Sequence, residues 1–69
     1  MEHKSVQSSN ISSVGYDKEK KKLEIKFANG GTYCYADVPP DVYESLMSSS
    51  SIGSFVHKTI KPGYKCNKI

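Results

Sequence analysis

The chain has 69 residues, ten lysines, no arginine and a net charge of +3. This length allows one domain, and a single core of this size supplies only about 3–5 kcal/mol of net stability, so its few large side chains must be core first. No apolar run approaches a membrane span, and the opening MEHKSVQSSN lacks the apolar centre of a secretory signal. The expectation is a cytoplasmic protein with no membrane partner, its two cysteines, Cys34 and Cys66, held as reduced thiols rather than as a disulfide.

Residues 1–9 are polar and without periodicity, which predicts a flexible N-terminal arm that joins a sheet edge at Val6, ahead of one domain over residues 10–69. The segment Asn10–Asp17 reads as a strand with Val14 and Tyr16 on one face and Ile11, Ser13 and Gly15 on the other. Gly15 inside a strand predicts a bulge, or the close approach of a bulky group such as an aromatic ring. The charged run Asp17-Lys18-Glu19-Lys20 suits a solvated hairpin tip.

Lys22–Phe27 is the clearest element, with Leu23, Ile25 and Phe27 alternating against Lys22, Glu24 and Lys26. A third strand is expected from about Thr32 to Val38, and short connections make the three an antiparallel meander. The second hairpin has two competing turns. A two-residue Asn29-Gly30 loop pairs Ile25 with Cys34 and leaves Tyr33 and Tyr35 outside. A three-residue Ala28-Asn29-Gly30 loop, with Gly30 left-handed, pairs Ile25 with Tyr33 and Leu23 with Tyr35 and turns both rings inward. The second is favoured because it fills an apolar-poor core and makes the better cross-strand pairs.

Pro39-Pro40 stops the sheet, and Pro40 suits a first helical turn. Asp41 and Glu44 match the positive end of the helix dipole. Val42, Tyr43, Leu46 and Met47 form the buried stripe of a helix that fades in Ser48–Ser51. A second helix is predicted over Ser51–Lys61, with Ile52, Phe55, Val56 and Ile60 inward and His57, Lys58 and Lys61 largely outward. Pro62-Gly63 is expected to end it, and Tyr64–Ile69 to be a loose end or to pack back through Tyr64. The fold class is α+β: a three-stranded antiparallel meander followed by two short helices on one face.

Cys34, Cys66, His3 and His57 are scattered, without the paired spacing of a zinc site, and no phosphate loop is present. No catalytic set, metal or cofactor is expected. From Ser45 onward there is no acid, while Lys58, Lys61, Lys65 and Lys68 accumulate. These four lysines are the candidate nucleic-acid contacts, and Tyr33, Tyr35 and Tyr64 the candidate aromatic ones, because lysine holds backbone phosphate and aromatic rings stack unpaired bases. Without arginine, the chain is equipped to grip phosphates rather than to read sequence. The alternative is a protein-interaction module, a homodimer or docking domain that uses the open sheet edge.

The order of these pieces resembles the KTSC domain over nearly the whole chain. The likeness is carried by Ser8-Ser9-Asn10-Ile11, Val14-Gly15-Tyr16, Leu23-Glu24-Ile25, Phe27, Asn29-Gly30 and Tyr33-Cys34-Tyr35. It continues through Val38-Pro39, Val42-Tyr43, Leu46, Ser51-Ile52-Gly53, Phe55 and Ile60-Lys61. That family consists of short bacterial and phage modules that also occur at the C-terminus of some lysyl-tRNA synthetases. The resemblance implies RNA as the partner and assigns no catalytic residues.

Overall fold

The computed structural model describes residues 2–69. Five strands, β1 (His3–Ser5), β2 (Ile11–Asp17), β3 (Lys22–Phe27), β4 (Thr32–Tyr35) and β5 (Cys66–Lys68), form one antiparallel sheet in chain order. Its centre is the β3–β4 hairpin, which takes the three-residue turn. The Phe27 N–H donates to the Gly31 carbonyl at 2.8 Å, and the Gly30 N–H to the Phe27 carbonyl at 3.0 Å. Gly30 sits at φ +104°, a region that a side chain rarely tolerates. Leu23 therefore faces Tyr35 and Ile25 faces Tyr33, and Tyr35 is 2% exposed.

The expected three-stranded meander is a five-stranded sheet, with one further strand at each edge. β1 lies inside the segment expected to be an arm, pairing Lys4 with Val14, and the Val6 N–H reaches the Ser12 carbonyl at 3.3 Å. Met1 lies outside the described residues. At the other edge, Tyr64–Ile69 returns as β5 and pairs Cys66 with Tyr35 and Lys68 with Tyr33. Neither His-Lys-Ser nor Cys-Asn-Lys has apolar alternation. Backbone pairing to a sheet that already exists is what makes them strands.

A register shift between Ile11 and Ser13 corrects the reading of β2. The extra residue moves Ile11 from the Ser13 face to the Val14 face, and both are buried, at 1% and 0% exposure. Gly15 is not the bulge. It lies between His3 on β1 and Glu24 on β3, and His3 Nε2 meets Glu24 Oε1 at 2.8 Å. The missing side chain leaves room for the imidazole to bridge from an edge strand to the second strand inward. This is the close approach of an aromatic ring that a strand glycine implies.

Helix α1 (Pro40–Ser48) starts at Pro40 and ends in the serine run as expected. The second helix differs. α2 (Ile52–Phe55), a π-helical turn (Val56–Ile60) and α3 (Lys61–Gly63) follow without interruption, so the helical run passes through Pro62 rather than ending before it. In an α-helix the Pro62 ring would press on the Lys58 carbonyl. Widening the preceding turn, with the Lys61 N–H donating to the Val56 carbonyl five residues back, accommodates the ring. Val56 and Ile60 still point inward and join Leu46, Val14, Leu23, Ile25 and Val38 in the core, all at 1% exposure or less. Both helices thus cover one face of the sheet.

Candidate nucleic-acid interface

The end of the sheet at the β3–β4 turn is only partly covered by the helices. Phe27, the last residue of β3, is half-buried there and meets the Tyr33 ring edge to face, with centroids 5.5 Å apart and planes at 80°. The Lys61 ammonium stands over the Phe27 ring, 5.3 Å from its centroid. Such a cation–π contact at an exposed site is worth about 0.5–1 kcal/mol. Among the described residues the one ion pair is His3–Glu24, so no carboxylate lies within pairing distance of Lys61.

Two adjoining grooves meet at this contact and share Phe27, Asn29 and Lys61. The first, about 510 Å³, lies between the Asn10 segment, the β3–β4 turn and the π-helical turn, which contributes His57. The second, about 360 Å³, runs over Tyr33 and Tyr35 toward Cys66. No aspartate or glutamate lines either one. The Tyr35 phenol is raised above its usual pKa, first by burial and then by the neighbouring Cys66 and Tyr33.

The four lysines singled out from the sequence do not form one cluster. All are exposed, but only Lys61 lines a groove. Lys68 is opposite Tyr33 in the register and so shares the helix-covered side of the sheet. Lys65 falls one residue before Cys66, on the alternation that leads to the opposite side, and Lys58 borders neither groove. Of the three tyrosines, Tyr33 and Tyr35 line the second groove, while Tyr64 packs against the core and lines neither. Cys34 and Cys66 sit on adjacent strands one register step apart, on opposite faces, and both are free thiols.

Sequence reasoning missed Phe27, Asn10, Asn29 and His57. Phe27 was absorbed as core and Asn29 as turn chemistry, and both readings hold. The Asn29 carboxamide oxygen does accept the Gly31 N–H, at 3.4 Å. The strand end at Phe27 is legible in the sequence, but not that the helical run 34 positions later sets a lysine, rather than an apolar side chain, over its ring. A second constellation, Ser13 Oγ to His3 Nδ1 at 2.9 Å and His3 Nε2 to Glu24, has the order of a hydrolase relay. It lies on the sheet face away from the helices and borders neither groove, and its evident effect is to tie β1 down.

Residues 7–64 match the model of the KTSC domain. The chain belongs to the KTSC domain family. A solved KTSC domain protein from Yersinia pestis superposes with a TM-score of 0.95 at 41% identity, covering 99% of this chain and 96% of that one. A protein of Tsukamurella paurometabola is 40% identical over 60 residues, covering 87% of this chain and 90% of its own length. A lysine–tRNA ligase of Nostoc punctiforme is 34% identical over 59 residues, which are 86% of this KTSC chain and 10% of the enzyme. The resemblance read from the motifs is thus a family membership that takes in almost the entire fold. Among the described residues, no helix is long and apolar enough to cross a membrane.

Proposed function

We propose that this KTSC domain is a non-catalytic module that binds single-stranded RNA across the two grooves, with Lys61 on a backbone phosphate and Phe27 and Tyr33 against the bases. The observation that carries the reading is the position of Lys61: shared by both grooves, over an aromatic ring, and, among the described residues, with no carboxylate within pairing distance. A cation beside aromatic rings is the pairing that single-strand binders use, phosphate on the charge and base on the ring. The kinship with a segment of a lysine–tRNA ligase, an enzyme whose substrate is RNA, supports the same partner class. Without arginine the backbone is held by single lysine charges rather than by bidentate forks.

Protein docking through the sheet edges has less support. Both outer strands are three residues long and each carries a lysine, which are the devices that discourage edge pairing. The test of the RNA reading is fluorescence anisotropy with a labelled single-stranded oligonucleotide at 50 mM and 200 mM salt. The expected result is measurable binding at low salt that weakens steeply at the higher concentration, as counterion release requires. No binding at 50 mM salt rejects the reading.

A further inference from the structure

The first groove differs from the second in what it offers a ligand. Where the second is walled by tyrosine rings, the first combines an apolar floor of Ile11, Phe27 and Val56 with two carboxamides, Asn10 and Asn29. At about 510 Å³ it falls within the ~300–1,000 Å³ typical of small-ligand sites. A carboxamide presents a donor and an acceptor side by side, which is the complement of a base edge. The Asn29 oxygen is already engaged by the Gly31 N–H, which leaves its amino group as a donor. Asn10 is placed by its neighbours: its backbone carbonyl accepts from the Ala28 N–H at 2.9 Å, and its side chain passes close to Gly53.

Gly53 is what allows the α2 helix so near. A methyl group there would lie 3.2 Å from Ser8 Oγ and 3.7 Å from the Asn10 amide nitrogen. The tight contact is with Ser8 Oγ, which accepts the Asn10 N–H at 3.3 Å, so a side chain at 53 would reach Asn10 by pushing on the serine that holds its backbone.

We infer that the first groove is a subsite for one unpaired nucleobase, held over the Phe27 edge of the floor and hydrogen-bonded by the Asn10 and Asn29 carboxamides while Lys61 takes the adjoining phosphate. The inference rests on the RNA reading above and adds to it the place where a base, as distinct from the backbone, is recognised. Adenine is the base whose donor–acceptor edge an asparagine carboxamide matches. Base recognition here is a matter of an edge read by two amides, so it needs no arginine.

The test uses the full chain, labelled with ¹⁵N, and two probes: single-stranded hexa-adenylate and the same ribose-phosphate strand without bases. Hexa-adenylate is expected to shift the side-chain amide resonances of Asn10 and Asn29, and the abasic strand to leave them in place. Asn10→Ala is expected to weaken hexa-adenylate binding about tenfold while leaving abasic binding unchanged, and Gly53→Ala to do the same in milder form. If both strands bind alike and neither amide moves, the base subsite is overturned while the RNA reading stands. If neither strand binds at low salt, both fall. A variant that loses its native amide spectrum is set aside, because the amide shifts of the unaltered protein decide the question without it.

Discussion

The hydroxyl of Tyr16 donates to the Val38 carbonyl at 2.6 Å, and its ring stacks on Tyr43 with centroids 4.5 Å apart and planes 7° from parallel. One side chain on β2 thereby fixes the point where the chain leaves the sheet and the helix that follows. Tyr16→Phe keeps the stack and removes the hydrogen bond, so it is expected to cost about 1 kcal/mol, read as a melting temperature lower by about 4–8 °C. The same residue gives the protein an alkaline limit. Burial, then Asp41 and Asp17, raise the Tyr16 phenol above its ordinary value, and burial does the same to Tyr35. The folded state therefore holds these protons more tightly than the unfolded chain. The stability they contribute is fully present below pH ~10 and is lost as pH rises through the raised values. Absorbance of tyrosinate should show two of the five tyrosines ionising late, and Tyr16→Phe should remove one of them.

At the scale of elements, the α1 boundaries were legible from Pro40 and the serine run, which decide them locally. The β3–β4 turn allowed two registers, and the one that forms is the one that fills the core with Tyr33 and Tyr35. The parts that were not legible depend on neighbours. By alternation Ile11 shares the Ser13 face, and only a bulge that its own strand does not advertise moves it to the Val14 face. β1 pairs with a sheet edge that only the fold supplies, and His3 ties it down by reaching across Gly15 to Glu24, a contact between residues 21 apart. His3→Ala removes the bonds to both Ser13 and Glu24, at a cost of about 0.5–1 kcal/mol for a partly buried pair. Hydrogen exchange should then quicken at Val6, whose N–H bonds the Ser12 carbonyl, and hold steady in the β3–β4 hairpin. The candidate site was half legible for the same reason: Lys61 stood out by charge, but the ring beneath it belongs to a strand that ends 34 positions earlier. That ring is reached through the π-helical turn. In Pro62→Ala, an alanine N–H restores the ordinary ladder and the wide turn can close. The Lys61 N–H should then change its acceptor from Val56 to His57, and the ring-current shift that Phe27 imposes on the Lys61 side chain should collapse, both visible by NMR.

For the whole molecule, the decisive fact is how the sheet divides the positive charge. A chain with ten lysines and no acid after Ser45 reads as a uniformly basic final third, but the fold distributes those lysines over different surfaces. Lys61 lines the grooves, Lys68 shares their side of the sheet opposite Tyr33, Lys65 alternates to the other side, and Lys58 borders neither groove. A ligand held by net charge alone would lose about the same affinity whichever lysine were neutralised. A ligand held in the grooves would not. Each phosphate contact removed from a single-stranded complex lowers the slope of log K against log salt by about 0.7. Lys61→Gln is therefore expected to weaken oligonucleotide binding most and to flatten that slope by about one contact, with Lys68→Gln next. Lys58→Gln and Lys65→Gln should leave both affinity and slope close to those of the unaltered domain. Four substitutions, one oligonucleotide and a salt series from 25 to 200 mM read it out by anisotropy. Equal losses at all four positions would replace the groove with a diffuse electrostatic surface, and losses confined to Lys58 and Lys65 would move the binding site elsewhere on the molecule.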